Sequence, residues 1–273
     1  MTLVTKDLNP RIATEIRADK KTLLSGEHAA EIRDLLERRG VLVFPQINFT
    51  DEEHVAFTQT LGQVAPEFEG ELVYKVTLDQ NANARSDYLK GSMYWHIDGT
   101  MNSVPVLASL LSAKVIPAAG AQTEFCNTYA AYDDLSDEDK TEYEKLRVIH
   151  SAWNTIFFYE PEPGLQKLQE MMRIGDAELP LVWKHKSGRK SLVLGATAYE
   201  TVGMNRVENA KLLVKLREWA TQPQFVYRHE WTVGDLVIWD NTGTMHRAIP
   251  YDPKSGRMLH RTKLQGEEAF AYA

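Results

Sequence analysis

Two side chains that commonly bind metal ions lie two residues apart in the middle of the sequence. They are His96 and Asp98, in the segment Tyr94-Trp95-His96-Ile97-Asp98-Gly99-Thr100. In an extended segment, residues i and i+2 point to the same face, so the imidazole and the carboxylate can converge on one point. This arrangement predicts a metal site. A chance His-x-Asp pair is the alternative, because two ligands alone make a poor site.

His246 is the best candidate for a third ligand. It follows the apolar segment 236–239 and a polar turn, which predicts a buried strand that delivers a histidine just past the turn. Two histidines and one carboxylate leave three octahedral positions open, the set typical of oxygen-activating non-haem Fe(II) enzymes. Zinc accepts the same ligands, so the metal stays open at this point. His28 and His54 lie in predicted helices with charged neighbours and are predicted to be surface residues. His150, His185 and His229 lie among mixed polar residues with no partner at ligand spacing and are interpreted as structural or solvated.

Two arginines follow His246 by 11 and 15 residues (257 − 246 and 261 − 246). If 257–264 is a strand, Arg257 and Arg261 lie on one face. Their guanidinium groups repel each other unless anions meet them, and a guanidinium binds a carboxylate through two parallel hydrogen bonds. Taken alone, the pair would be surface charge. Beside the three candidate ligands, it predicts a carboxylate-bearing cosubstrate next to the metal.

The sequence resembles the taurine dioxygenase / 2,4-D dioxygenase (TauD/TfdA) family of Fe(II)- and 2-oxoglutarate-dependent oxygenases. The resemblance extends from about residue 40 to Arg261. It is carried by Trp95-His96-Ile97-Asp98-Gly99-Thr100, by Gly120-Ala121-Gln122-Thr123, by Trp239-Asp240-Asn241 leading to His246-Arg247-Ala248, and by Arg257 with Arg261.

The resemblance implies a role for each matching residue. His96, Asp98 and His246 would bind iron. Thr123, 27 residues after His96 (123 − 96), matches the family threonine that donates a hydrogen bond to 2-oxoglutarate. Arg257 matches the arginine that pairs with the far carboxylate of 2-oxoglutarate. Arg261 matches a second arginine, which lies near the cosubstrate and in some members binds the acidic group of the substrate.

The resemblance implies Fe(II), 2-oxoglutarate and O2 as cofactor and cosubstrates. The predicted reaction hydroxylates an unactivated C–H bond of a small, hydrophobic or aromatic organic acid and converts 2-oxoglutarate to succinate and CO2. Because Asp98 is present, hydroxylation is favoured over halogenation, while desaturation and cyclisation stay open. The substrate pocket is predicted at Arg261, Tyr94, Met93 and Tyr74. A zinc hydrolase and a non-catalytic β-barrel that senses a carboxylate metabolite are the other readings.

The sequence departs from the family pattern at two places. Thr242-Gly243 follows Trp-Asp-Asn where many relatives carry an arginine, so the turn before His246 is expected to be supported differently. Ala65-Pro66-Glu67-Phe68 occupies the region where the family often has a polar anchor for the substrate acid. This second departure argues against a sulfonate or another small anion as the substrate. The polar segment 79–92 is predicted to be either a lid or a plain surface loop.

Composition and element pattern predict an α+β, mainly β protein in which a double-sheet barrel is wrapped by helices. The family resemblance specifies a double-stranded β-helix (jelly roll, cupin-like) core flanked by helices. We expect one domain over 1–273, with a helical N-terminal part (about 1–65) and a helical or loop insertion (about 130–185). The net charge of −7 argues against nucleic-acid binding, and no apolar run approaches the ~18 residues of a membrane span. The single cysteine, Cys126, is predicted to be a small buried residue. A cytoplasmic homo-oligomer that acts on a small molecule is expected.

Overall fold

The structure is a computed structural model that describes residues 3–67 and 70–271. Phe68, the last residue of the departing segment 65–68, lies outside the described residues. The strands are β1 (Val4–Asp7), β2 (Thr14–Arg17), β3 (Val41–Phe44), β4 (Val64–Ala65), β5 (Tyr74–Val76), β6 (Ala108–Val115), β7 (Thr123–Asn127), β8 (Arg147–Ser151), β9 (Asp176–Pro180), β10 (Val182–Lys184), β11 (Lys190–Leu192), β12 (Ala198–Thr201), β13 (Val226–His229), β14 (Leu236–Asp240), β15 (Thr244–Ala248) and β16 (Met258–Leu264). The α-helices are α1 (Lys20–Leu24), α2 (Ala29–Arg39), α3 (Asp51–Leu61), α4 (Thr128–Asp133), α5 (Asp137–Tyr143), α6 (Ile156–Tyr159), α7 (Leu165–Met172) and α8 (Arg206–Ala220).

Two sheets build the core. The main sheet has the order β1-β2-β3-β14-β6-β16-β4, and β5 pairs with β16 beside β4, on the edge away from β6. The second sheet has the order β13-β7-β15, with both neighbours antiparallel to β7. The rings of Phe125 in β7 and Trp239 in β14 lie 5.6 Å apart, so the two sheets face each other. The predicted α+β, strand-rich core is therefore present.

Alternation along β14 explains how one sheet serves two cores. Val237 and Trp239 point toward the second sheet, into a cluster that also holds Phe125. Leu236 and Ile238 point the other way, into a cluster with residues of α2 and α3. All four side chains are buried, as expected for a strand that is covered on both faces.

Local signals in the sequence set the ends of the main helices. Thr50 and Glu53 form a capping box at the start of α3, and the Asn205 side chain accepts hydrogen bonds from Val207 and Glu208 at the start of α8. Gly40 ends α2 with a φ of 71°, a backbone conformation that favours glycine. Among the described residues, no helix is long and apolar enough to cross a membrane.

Several predicted boundaries differ from the structure. The apolar spacing after Ser25 predicts a helix with Ser25 as its N-cap, but Ser25 instead ends the short helix α1, and α2 begins at Ala29. The parts predicted to be helical contain strands as well: β1 to β4 lie within 1–65, and β8 to β10 lie within 130–185. The segment 79–92 forms turns and then a 3-10 helix, Tyr88–Met93, that leads directly into the candidate ligand segment.

The prediction that His54 lies on the surface is wrong. His54 lies in α3 with its side chain fully buried, and its Nε2 forms a hydrogen bond with the Thr262 hydroxyl. Burial lowers the pKa of His54 to about 3, so the ring is neutral and acts as a core residue. His150, His185 and His229 are buried with polar partners and are structural, and Cys126 is buried as predicted.

Candidate active site

His96 and His246, 150 residues apart (246 − 96), are joined by their backbones. The His96 N–H donates to the His246 carbonyl at 3.1 Å, and the His246 N–H donates to the His96 carbonyl at 2.9 Å. This isolated antiparallel bridge adds the segment around His96 to the free edge of β15. The two imidazole rings consequently lie side by side, with centroids 4.1 Å apart. Gly195 packs against this segment, and a Cβ at Gly195 would stand 3.0 Å from His96 Cα.

Asp98 completes a group of three converging side chains. Its Oδ1 lies 3.6 Å from His96 Nε2 and 3.9 Å from His246 Nε2. One nitrogen or oxygen from each residue lies within 4.8 Å of the others, and no other such group of histidine, cysteine and carboxylate side chains occurs within residues 3–67 and 70–271. The structure thus brings together the three residues that were predicted to bind a metal.

The surroundings of the three side chains suit a cation. His96 Nδ1–H donates to the Tyr94 carbonyl at 2.8 Å, which leaves its Nε2 facing Asp98. Burial holds the pKa of His246 well below its usual value, so this ring is neutral. Burial alone would raise the pKa of Asp98, but the positive charge of Arg261 and the hydrogen bond from Ser109 act against it, and that pKa lies below the usual range. The group therefore offers two imidazoles and one carboxylate.

A chain of buried hydrogen bonds orients Asp98. Trp239 Nε1–H donates to Asn241 Oδ1 at 2.7 Å, and Asn241 Nδ2–H donates to Ser109 Oγ at 3.0 Å. Ser109 then donates to Asp98 Oδ2 at 3.2 Å. The Trp-Asp-Asn motif thus supports the carboxylate from β14 and the turn that follows it. Ser109 was not among the predicted site residues, although a serine within the apolar segment 106–111 is a usable signal for one.

The His246 imidazole is held by packing rather than by a hydrogen bond. Its ring lies 4.6 Å from the Trp239 ring and stacks on Phe125 at 6.3 Å. Its Nδ1 is buried and has no hydrogen-bond partner among the described residues. The orientation of this imidazole therefore depends on the aromatic core between the two sheets.

Arg257 directly precedes β16, and Thr123 is the first residue of β7. The Arg257 side chain is buried, stacks over the Tyr251 ring at 4.6 Å and reaches the Ala121 carbonyl at 3.3 Å. Its Nε has no hydrogen-bond partner, and no carboxylate among the described residues pairs with it. Burial lowers the pKa of Arg257, but a guanidinium stays charged. Thr123 Oγ accepts from Trp231 Nε1 at 2.9 Å, which leaves its own hydroxyl hydrogen available to donate.

Arg261 has anionic partners within the chain. Its Nε and Nη2 donate to the two carboxylate oxygens of Glu67 at 2.9 and 3.1 Å, and its Nη1 lies 3.4 Å from Asp98 Oδ2. Glu67 also pairs with Lys263 at 2.9 Å. The sequence had placed segment 65–68 near a substrate anchor without assigning a role to Glu67. Arg261 therefore meets any further acid with its charge already matched.

The other predicted pocket residues fall in two places. Tyr74 and Met93 belong to a small apolar cluster beside the arginines, and the Arg261 guanidinium lies 5.4 Å from the Tyr74 ring centroid. The ring centroids of Tyr94 and Phe158 lie 5.2 Å apart. Tyr94 also lines a cavity of about 710 Å³, and none of the three converging side chains lines this cavity. The structure thus places Tyr74 and Met93, but not the Tyr94 ring, on the Arg261 side of the site.

The turn before His246 is supported without the arginine that many relatives carry there. Thr242 donates to Asp240 Oδ1 from its backbone N–H at 2.8 Å and from its hydroxyl at 2.6 Å. The Tyr129 hydroxyl in turn donates to Thr242 at 2.8 Å, and the Arg189 guanidinium stacks 3.7 Å over the Tyr129 ring. A Cβ at Gly243 would stand 1.7 Å from that ring, so glycine is required for this packing.

Asp240 makes the stability of this turn dependent on pH. Burial raises the pKa of Asp240 to about 6, so the folded state binds the proton more tightly than the unfolded state does. Ionisation therefore opposes folding, and stability is lost as the pH rises from about 4 to about 6. We expect the free energy of unfolding of Asp240→Asn to rise relative to that of the natural chain by on the order of 2 kcal/mol across that window. Above the window the difference should stay constant. Urea unfolding at several pH values measures this, and a difference that is constant from pH 4 to 7 would contradict it.

Comparison with known proteins identifies the family. A sequence model described as "Taurine catabolism dioxygenase TauD, TfdA family" matches residues 5–263. The chain belongs to the TauD/TfdA dioxygenase family. A (S)-phenoxypropionate/α-ketoglutarate dioxygenase of Sphingobium herbicidovorans is 33% identical over 84% of this chain and 83% of its own length. An α-ketoglutarate-dependent 2,4-dichlorophenoxyacetate dioxygenase of Burkholderia sp. is 34% identical over 97% of this chain and 95% of its own.

Solved structures agree with this assignment. The crystal structure of AAD-2 in complex with Mn(II) and N-oxalylglycine has a TM-score of 0.85 at 33% identity, and the match covers 99% of this TauD/TfdA chain and 100% of the other. The predicted jelly-roll fold and the predicted enzyme class, an α-ketoglutarate-dependent dioxygenase that uses a metal ion, 2-oxoglutarate and O2, are confirmed at the level of the family.

Proposed function

We propose that this TauD/TfdA dioxygenase binds Fe(II) through His96, Asp98 and His246 and hydroxylates a hydrophobic or aromatic organic acid at the expense of 2-oxoglutarate. One observation carries the proposal. The three converging ligand atoms lie in the same interior as Arg257, a buried guanidinium that no carboxylate of the described chain neutralises. A site of this kind calls for both a cation and an anionic cosubstrate.

The donor set fits the metal. Two imidazoles and one carboxylate suit Fe(II) and leave room for further ligands. When bound, iron and 2-oxoglutarate together supply the oxidising chemistry, with succinate and CO2 as co-products. The residues of the chain hold and orient these groups. His96 is fixed by the Tyr94 carbonyl, Asp98 by Ser109, and His246 by the packing of Trp239.

The residues predicted to hold 2-oxoglutarate fit a dicarboxylate. The Arg257 Nε is a buried donor that lacks a partner among the described residues, and a carboxylate can accept from it and from Nη2 together. Thr123 can donate its hydroxyl hydrogen to the same cosubstrate, because its oxygen already accepts from Trp231. We therefore assign Arg257 and Thr123 to 2-oxoglutarate, and Arg261 to the region between cosubstrate and substrate.

The proposed substrate class rests on the relatives and on the lining of the site. The two relatives reported above are named for phenoxypropionate and 2,4-dichlorophenoxyacetate, which are aromatic acids. Tyr74 and Met93 supply apolar surface beside the Arg261 guanidinium, the group proposed to attract the substrate carboxylate. Tyr94 remains a candidate at the neighbouring cavity. Desaturation or cyclisation by the same residues is the second candidate outcome of the reaction.

The test is an anaerobic titration of the metal-free protein with Fe(II) and 2-oxoglutarate. We expect the weak visible charge-transfer band that iron and 2-oxoglutarate give only when both are bound. Admission of O2 with candidate aryloxy acids should then release succinate and a hydroxylated product. A folded, metal-loaded protein without the band would exclude the oxygenase reading and favour a zinc hydrolase or a carboxylate sensor.

Ser109→Ala is expected to weaken metal binding without unfolding the chain. The substitution removes the donor to Asp98 Oδ2, and loss of such a supporting hydrogen bond costs roughly 10- to 100-fold in metal affinity. Fe(II) or Mn(II) affinity, measured by competition with a chelator, checks this. Ser112→Ala, at another buried serine of the same strand, is the matched control and should leave the affinity unchanged. Equal affinities in both variants would remove Ser109 from the site.

A further inference from the structure

Glu67 is a buried carboxylate beside the candidate site that the proposed chemistry does not use. Its side chain is 1% exposed. It accepts hydrogen bonds from Arg261 Nε and Nη2 at 2.9 and 3.1 Å, and its second oxygen also lies 2.9 Å from Lys263 Nζ. One acid therefore serves two cations of the same strand, β16, on the side of Arg261 that lies away from Asp98.

The charges around Arg261 cancel. Glu67 and Asp98 supply two negative charges, and Arg261 and Lys263 supply two positive charges. Glu67 also occupies the fork of Arg261 formed by Nε and Nη2, one of the two edges at which a guanidinium can bind a carboxylate through parallel hydrogen bonds. A substrate acid that approaches Arg261 thus meets a neutral group with one of its forks filled.

We propose that Glu67 is a specificity residue that competes with the acidic group of the substrate for Arg261. The inference rests on the proposed function, because it takes Arg261 as the group that attracts the substrate acid. Lys263 makes the competition reversible: Glu67 can turn away from Arg261 and stay paired with Lys263, so no buried carboxylate is left without a partner. Glu67 thereby weakens the hold on acids and narrows the difference in affinity between an acid and its neutral ester.

The backbone around Glu67 favours this role over one in folding. Glu67 follows β4, whose residues pair with Lys263 and Leu264 of β16. Its own N–H donates to the Glu71 carbonyl at 2.7 Å. Backbone pairing therefore holds this segment in place, and the Glu67 side chain is not needed for that purpose. It pairs with Arg261 and Lys263 of β16 instead.

Substitution Glu67→Gln tests the proposal. Metal-free protein with 2-oxoglutarate present to cover Arg257 is titrated by equilibrium dialysis with 2,4-dichlorophenoxyacetate and, separately, with its methyl ester. We expect the affinity for the acid to rise about tenfold or more, because coupling between close buried charges is of that size or larger. The affinity for the ester should stay within about twofold. In the metal-loaded enzyme the KM for the acid should fall while the KM for 2-oxoglutarate does not change.

Controls separate competition from a structural effect. Glu71→Gln removes an equal charge from an exposed position nearby and should change neither affinity. Arg261→Gln in the Glu67→Gln background should cancel the gain, because the residue released by Glu67 is then absent. Unchanged, weaker or undetectable acid binding in folded Glu67→Gln would overturn the proposal. The visible band of iron with 2-oxoglutarate, which does not involve Glu67, reports on the proposed function independently.

Discussion

Arg257→Gln should raise the 2-oxoglutarate requirement by roughly 30-fold to several thousand-fold. Truncation of one partner in a buried charge pair costs about 2–5 kcal/mol, which corresponds to that range in affinity. The free energy of unfolding of the metal-free chain should not fall, because Arg257 has no anionic partner among the described residues to lose. The combination of a lost cosubstrate affinity with a retained stability is characteristic of a ligand-binding charge. The KM for 2-oxoglutarate and a thermal melt measure the two quantities.

Lys254→Gln provides the matched control for Arg257. It removes one positive charge from an exposed position three residues away and should leave the 2-oxoglutarate requirement unchanged. Arg257→Lys keeps the charge but loses the fork and should fall between the natural chain and Arg257→Gln. A KM within about twofold of the natural value in Arg257→Gln would assign the cosubstrate to other residues.

Asp98→Ala should reduce both bound iron and succinate formation to background. It removes the only carboxylate of the three-residue group, so the loss should exceed the roughly 10- to 100-fold expected for Ser109→Ala. The fold should survive, since Arg261 keeps its pairing with Glu67. Metal content after dialysis against Fe(II) under anaerobic conditions, followed by a succinate assay, gives the measurement.

Asp133→Ala, at an exposed aspartate remote in sequence, is the control for Asp98→Ala and should retain both iron and activity. Asp98→Glu tests the position of the carboxylate rather than its presence. It keeps the carboxylate but lengthens the side chain by one methylene, which breaks the alignment with Ser109. Full iron content together with full succinate formation in Asp98→Ala would move the metal to another set of residues.

The convergence of the candidate metal ligands could be predicted because their signals are local. A His-x-Asp pair in an extended segment, a histidine past a strand and turn, and two arginines at even spacing each follow from the geometry of a strand. The strand Met258–Leu264 and the caps at Thr50 and Asn205 were predictable for the same reason. Such features depend on neighbours within a few residues, and the sequence contains those neighbours.

The residues that were missed depend on contacts between distant segments. Ser109 and Asn241 meet across the main sheet, 132 residues apart, and Glu67 meets Arg261 across 194 residues. No pattern within one segment could reveal that Glu67 neutralises Arg261. His54 was misplaced on the surface because its buried partner, Thr262, lies in the last strand, 208 residues away. Contacts between segments distant in sequence could therefore not be predicted from local sequence patterns.

The backbone bridge between His96 and His246 has a consequence for how the centre assembles. Because two reciprocal hydrogen bonds fix the segments that carry both imidazoles, these two candidate ligands are preorganised before any ion arrives. The entropy of ordering them is lost when the chain folds, not when metal binds. Hydrogen–deuterium exchange at these two amides should therefore be slow already in the metal-free protein. The ion would then bind to a largely preformed site, and binding would not require a loop to fold around it.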